Sequence, residues 1–142
     1  GTQGIFYDRA DVFTVSIHAD PHRFYPFFWG YGDETGSGDG QGFNLNLPLA
    51  RGSGDDVFLK ALDLALDRVK ACEPAALVIA LGLDAFEGDP FGGLALSTGA
   101  FNHIAARIAA TLPFPTLIVQ EGGYLCDELG ANLTAFLTGF EH

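Results

Sequence analysis

The chain contains no methionine, only two cysteines and one tryptophan, and seven Lys and Arg residues against eighteen Asp and Glu. Each scarcity closes off a class of function. A formal net charge of −11 leaves too few cations to neutralise a phosphate backbone, so nucleic acid is excluded as a partner. The acidic field favours cationic ligands instead. Cys72 and Cys126 are too few for a disulfide framework, and neither stands in a CxxC pair. A reducing cytoplasm is the expected location. No apolar run reaches the roughly 20 residues of a membrane-spanning helix, and the start lacks a signal-peptide pattern, so no membrane partner is expected. A chain without methionine that begins Gly1-Thr2-Gln3-Gly4 leads to the expectation that its start was removed or that it is a piece of a longer polypeptide.

What is present suffices for a core. Apolar residues make up 48% of the 142, with thirteen Phe, enough for one domain or part of one. Asp11 to Ile17 is β-branched and aromatic and reads as a strand. From His18 to Gly42 the chain is rich in Gly, Pro and aromatics without helical period, which predicts a long functional loop. Its glycine run, Gly36 to Gly42, lacks the Lys-Ser/Thr ending of a phosphate loop and is acidic, so a flexible or tightly turning loop is expected. Phe43 to Leu49 alternates as a short strand. Ser53-Gly54-Asp55-Asp56 reads as a helix start, and Phe58, Ala61, Leu62, Ala65, Leu66 and Val69 follow helical spacing until Pro74. A strand at Ala76 to Gly82, a helix from Ser97 or Thr98 to about Thr111, a strand at Thr116 to Gln120 and a helix at Gly130 to Phe140 complete the order.

Strands alternating with amphipathic helices, and apolar on both faces, predict an α/β fold with a parallel sheet covered on both sides. In such sheets ligands bind beyond the carboxyl ends of the strands. Three strand ends, at Ile17-His18, Gly82-Asp84 and Glu121-Tyr124, are expected at one edge, gathering Ser16, His18, Asp20, His22, Asp84 and Tyr124.

Within that edge Asp84 can be a metal ligand, a general base or a carboxylate capping its own loop. Tyr124 follows Gly122 and Gly123, which let the backbone approach a ligand closely, and a tyrosine there can donate to an oxyanion; an exposed amphipathic aromatic is the plainer alternative. His18-x-Asp20-x-His22 would place three zinc-type side chains on one face of an extended segment. Pro21 interrupts it, and a buried, hydrogen-bonded His18 is the better reading. The cluster Phe24-Tyr25-Pro26-Phe27-Phe28-Trp29 is either core filling or the wall of a substrate groove, and part of it should be exposed.

Taken together, Val15-Ser16-Ile17-His18-Ala19-Asp20-Pro21, Tyr25-Pro26, Gly30-Tyr31, Glu34-Thr35-Gly36, Asn44-Leu45-Asn46, the string LGLDAFEGDP (81–90) and Glu121-Gly122-Gly123-Tyr124 resemble the histone deacetylase superfamily in collinear order. The closest likeness is to bacterial acetylpolyamine amidohydrolases, and Gly1-Thr2-Gln3 resembles the tail of that family's HHGNGTQ segment.

The resemblance implies an arginase/deacetylase-like parallel sheet with helices on both faces, residues 1–142 being the C-terminal portion of the domain. It implies a zinc-dependent amide hydrolase that removes acetyl groups from acetylated polyamines or acetyl-lysine peptides, both cationic. Asp84 matches a zinc ligand and Tyr124 the oxyanion-stabilising tyrosine. Tyr25 and Phe91 match positions lining the substrate channel, with Gly122 and Gly123 beside it. Ser16 and Ile17 match part of one monovalent-cation site, and Phe6, Arg9, Val12 and Phe43 the backbone oxygens of another, for potassium or sodium. The histidine pair and the two further zinc ligands of the family have no counterpart in this sequence, so the chain by itself is expected to be inactive. Two other readings follow. One is a non-catalytic binding or assembly module that forms a homodimer through an unpaired sheet edge. The other, a dimanganese enzyme of the arginase type, ranks lower because Asp84-Ala85-Phe86 lacks an Asp-x-Asp pair.

Overall fold

In the computed structural model, residues 1–141 are described; His142, to which the sequence assigns no chemistry, lies outside them. The chain runs α1 (Thr2–Phe6), β1 (Thr14–Ala19), β2 (Asn44–Leu49), α2 (Asp55–Ala71), β3 (Leu77–Leu81), α3 (Thr98–Thr111), β4 (Thr116–Gln120) and α4 (Leu129–Phe140), with short 3-10 turns at Gly38–Gly40 and Leu83–Ala85. The fold is α/β with parallel strands. Every pairing is parallel, but the strands form two separate pairs among the described residues, β1 with β2 and β3 with β4.

The helices start and stop where their chemistry dictates. Asp55 and Asp56 stand in the first turn of α2 and Arg68 and Lys70 in its last, each complementing the helix dipole. Ser97 caps α3, its hydroxyl accepting from the Ala100 N–H at 3.2 Å. The spacing that predicted α2 buries Leu62, Ala65 and Leu66. Phe101, Ile104, Ala105 and Ile108 of α3 meet Phe136 of α4 in the same core, with Leu81, Leu83, Phe86 and Leu96.

β3 and β4 alternate in burial, so the core reaches only one face of their sheet. Leu77, Ile79 and Ile118 pack on the core, whereas Val78 and Leu117 are 65% and 59% exposed and Val119 is also exposed. The expected cover on both faces is present on one face of this pair.

Several boundaries differ from the sequence reading, those of β1 by the most. β1 begins at Thr14 rather than Asp11 and runs through His18 and Ala19, because its register is set by pairing with Asn44–Leu49. In β2 the alternation is inverted: Asn44 and Asn46 are buried while Leu45 and Leu47 are only half-buried. The Asn46 amide donates to the Tyr31 carbonyl at 3.0 Å and to Gln3 Oε1 at 2.9 Å, and the Asn44 amide donates to the Glu34 carbonyl. Glu34 Oε2 accepts from Gln3 Nε2 and the Gly30 N–H, both at 2.7 Å. These bonds order the loop between β1 and β2, whose glycine run closes as the 3-10 turn Gly38–Gly40.

Candidate functional site

The β3 and β4 chains stay paired beyond their last strand residues. The Glu121 N–H donates to the Leu81 carbonyl and the Leu83 N–H to the Gly122 carbonyl, both at 2.9 Å. This carries the 3-10 turn holding Asp84 directly beside Gly122. A Cβ at position 122 would lie 2.6 Å from the Asp84 carboxyl carbon, so the Asp84 side chain occupies the space that any larger residue would need. Gly123 follows at φ +128°, a conformation that L side chains rarely adopt. The two glycines thus turn the chain tightly around a carboxylate.

Asp84 is half-buried. Burial pushes its carboxyl above the ordinary range; its own backbone N–H opposes this, and the nearby negative charge of Asp89 adds to the rise. No Lys or Arg pairs with it among the described residues. An acid held without a counter-charge at a strand end suits a cation, and zinc accepts a carboxylate oxygen. Asp84 therefore fits as one ligand. It does not make a metal site alone, since among the described residues no three His, Cys, Asp or Glu side chains cluster as a metal site needs.

Tyr124 and Phe91 meet at the same strand ends, their rings edge-on with centroids 4.8 Å apart. Both are substantially exposed, at 46% and 68%. Phe91 arrives from the β3 side and Tyr124 from the β4 side, so the pair forms an apolar wall with the phenol hydroxyl at its polar end. Beneath them lies Asp89, which the sequence reading passed over except as the residue before Pro90. It is buried, and its two oxygens accept from the Phe91 and Tyr124 N–H groups, each at 2.8 Å. The available signal was an acid in an Asp-Pro turn five residues after Asp84.

The third expected strand end stays apart in its bonding. The His18 Nε2–H donates to the Gly30 carbonyl at 2.8 Å, and in the neutral ring Nδ1 then accepts from the Ser16 hydroxyl, also at 2.8 Å. Asp20 accepts from the His22 N–H and faces His22 Nδ1 at 2.7 Å, and these bonds hold its carboxyl below the ordinary range. The His18-x-Asp20-x-His22 string is consequently no metal cluster; each member is committed to a local partner. His18 is hydrogen-bonded as expected, but half-buried rather than buried.

The aromatic loop does reach the site region. Beside Gly93, two residues beyond Phe91, a Cβ would lie 2.6 Å from Ala19 Cβ and 2.8 Å from the Phe24 ring. Tyr25, next to Phe24, is 76% exposed, as are Phe27 and Phe28 in large part. Part of the cluster is thus surface, as expected. At the opposite end of β1, the Phe6 carbonyl accepts from the Arg9 N–H at 3.1 Å and the Phe43 carbonyl from the Thr14 N–H at 3.0 Å. The Phe6 carbonyl keeps a second lone pair, whereas the Phe43 carbonyl also accepts from the Thr14 hydroxyl at 3.5 Å. Arg9 turns its side chain to Asp11 at 2.6 Å, leaving only its backbone oxygen for a cation. Among the described residues no helix is long and apolar enough to cross a membrane.

The sequence pattern of the histone deacetylase domain matches residues 1–140. The chain is 46% identical over 140 residues to an acetylpolyamine amidohydrolase of Burkholderia pseudomallei (strain 1710b), covering 99% of this chain and 41% of that protein. It is 47% identical over 141 residues to acetylpolyamine amidohydrolase 1 of Pseudomonas aeruginosa, covering 99% and 40%. The crystal structure of acetylpolyamine aminohydrolase from Burkholderia pseudomallei superposes with a TM-score of 0.95 at 46% identity, over 99% of this chain and 41% of that one. The chain thus spans about two fifths of the length of these relatives.

Proposed function

Because the chain belongs to the histone deacetylase family, we propose that it contributes the strand-end half of a zinc-dependent amidohydrolase site that removes acetyl groups from acetylated polyamines or acetyl-lysine. The observation that carries this reading is the half-buried, unpaired carboxylate of Asp84 beside Gly122, with the Phe91–Tyr124 wall at the same strand ends. Asp84 would supply one ligand to zinc. The metal, when bound, polarises the carbonyl to be cleaved.

The remaining roles belong to the chain's own groups. The Tyr124 hydroxyl donates a hydrogen bond to the oxygen on which negative charge develops. Phe91 and Tyr25 line the channel for the aliphatic part of the acetylated amine, and Gly122 and Gly123 keep its floor free of side chains. The net charge of −11 agrees with a cationic substrate. Potassium or sodium would be held by the carbonyls of Phe6, Arg9, Val12 and Phe43, and at a second position by Ser16 and Ile17. Cys72 and Cys126 are free thiols, which agrees with a cytoplasmic location.

The test is a hydrolysis assay on an acetylated diamine and an acetyl-lysine peptide, with zinc titrated in. The chain is compared with a fusion carrying the upstream portion of the Burkholderia pseudomallei relative ahead of Gly1. The fusion should turn over and the chain alone should not; turnover by the chain alone would overturn the requirement for further ligands. Failure of the fusion on both substrates would overturn the amidohydrolase reading.

A second reading, a non-catalytic module that dimerises through its sheet, is favoured by one observation. Val78, Leu117 and Val119 form an exposed apolar face on strands that, among the described residues, each pair with only one neighbour. Light scattering at high concentration decides it, since a monomer there would count against a dimer.

A further inference from the structure

Asp89 is buried, pairs with no Lys, Arg or His among the described residues, and bonds to backbone on both sides of the site. A buried charge of this kind is costly unless hydrogen bonds satisfy it. Here one oxygen takes the Phe91 N–H from the β3 loop, and the other takes the Tyr124 N–H from the β4 loop, 35 residues later in the chain. Charge-assisted bonds to backbone N–H groups are stronger and more directional than neutral ones. The Asp89 N–H donates in turn to the Phe86 carbonyl at 3.1 Å, and Phe86 is buried in the core. The bracket is therefore anchored to the core at its base.

The loop after β4 is held as far as Gly122, whose carbonyl accepts from the Leu83 N–H and from Gln120 Nε2, both at 2.9 Å, and past that point the Asp89 bond is the tie to the β3 loop. Gly122 and Gly123 carry no side chains, Tyr124 is half exposed, and Leu125 is 93% exposed. From this geometry we infer that Asp89 is a positioning residue: its carboxylate clamps the two strand-end loops together and so fixes the Tyr124 phenol and the Phe91 ring relative to Asp84. The inference deepens the amidohydrolase reading and rests on it for the purpose of the clamp, although the clamp itself can be measured without catalysis. Asp89 touches no reacting atom; it acts through the two aromatics.

The experiment measures amide hydrogen exchange and ring–ring nuclear Overhauser contacts by NMR in the 142-residue chain, as the parent, Asp89→Asn and Asp89→Ala. Asparagine keeps one acceptor oxygen and alanine keeps none. In Asp89→Ala the Phe91 and Tyr124 amides should exchange at least about tenfold faster, with α3 amides unchanged. The Phe91–Tyr124 contact should vanish in Asp89→Ala and weaken in Asp89→Asn. A mere loss of stability would speed exchange throughout the core and would not single out these two amides. Parent-like exchange and an intact ring contact in Asp89→Ala would overturn the inference. Should Asp89→Ala not fold, Asp89→Asn decides by the same readouts: one amide released supports the clamp, and neither released overturns it. A silent hydrolysis assay would remove the amidohydrolase reading and leave these exchange rates as they stand.

Discussion

Asp55 and Ser97 are joined at both ends of a short bridge: one Asp55 oxygen accepts the Ser97 N–H at 2.8 Å and the other accepts the Ser97 hydroxyl at 2.6 Å. The first turn of α2 is thereby tied to the cap of α3, 42 residues away. Asp55→Ala leaves the Ser97 N–H without its acceptor and loosens the cap. The expected cost is about 1–3 kcal/mol, read as a lower urea midpoint at unchanged m-value.

For Asp84, pH dependence of stability has a definite sign. Its folded carboxyl titrates above the ordinary 3.8, chiefly because burial penalises the charged form, with Asp89 adding repulsion. Between 3.8 and the raised value the folded state holds more proton than the unfolded state. Asp84's contribution is thus fully present below 3.8 and is lost as pH rises through the folded value. Asp84→Asn should be more stable than the parent at neutral pH, and the gap should close in acid. Denaturant midpoints of the two proteins across that range check it; a gap that widens in acid would reverse the assignment.

Gly122→Ala would drive a methyl group against the Asp84 carboxyl carbon, 2.6 Å away in the unrelaxed geometry. Overpacking of this kind costs about 1–3 kcal/mol. If the conflict is with Asp84, the loss should shrink when Asp84→Ala is made in the same protein. A double-mutant cycle on thermal or urea stability measures that coupling.

Tyr124→Phe removes only the phenol oxygen from a half-exposed ring. Stability should change by no more than about 0.5 kcal/mol. Hydrolysis by the upstream-extended fusion should fall about 10²–10³-fold in kcat, the loss associated with one oxyanion donor. An unchanged kcat would move the donor role to another group.

The helices were legible because their apolar residues keep a 3.6 period over several turns: Leu62, Ala65 and Leu66 of α2, and Phe101, Ile104, Ala105 and Ile108 of α3, are buried as spaced. What was lost depends on partners. The start of β1 slid to Thr14 because pairing with β2, not local propensity, fixes it. The alternation of Phe43 to Leu49 announces a strand but not which side is inward: Asn44 and Asn46 are buried to bind loop carbonyls that no local pattern reveals. α1, only five residues long, carries no buried residue and no apolar period to announce it. In the candidate site, Asp84, Gly122, Gly123 and Tyr124 are singled out by strand-end position and family likeness, and the structure sets Asp84 against Gly122. Asp89 was passed over because its role is to hold two backbone N–H groups, and spacing does not encode backbone acceptors.

The exposed face of Val78, Leu117 and Val119 has a consequence for the protein in bulk solution. Eleven excess negative charges hold copies apart at low ionic strength, while this oily surface draws them together. Salt shortens the reach of the repulsion to about 3 Å at 1 M without weakening the attraction. A concentrated sample is therefore expected to scatter more light as salt is added and to stay clear in dilute buffer.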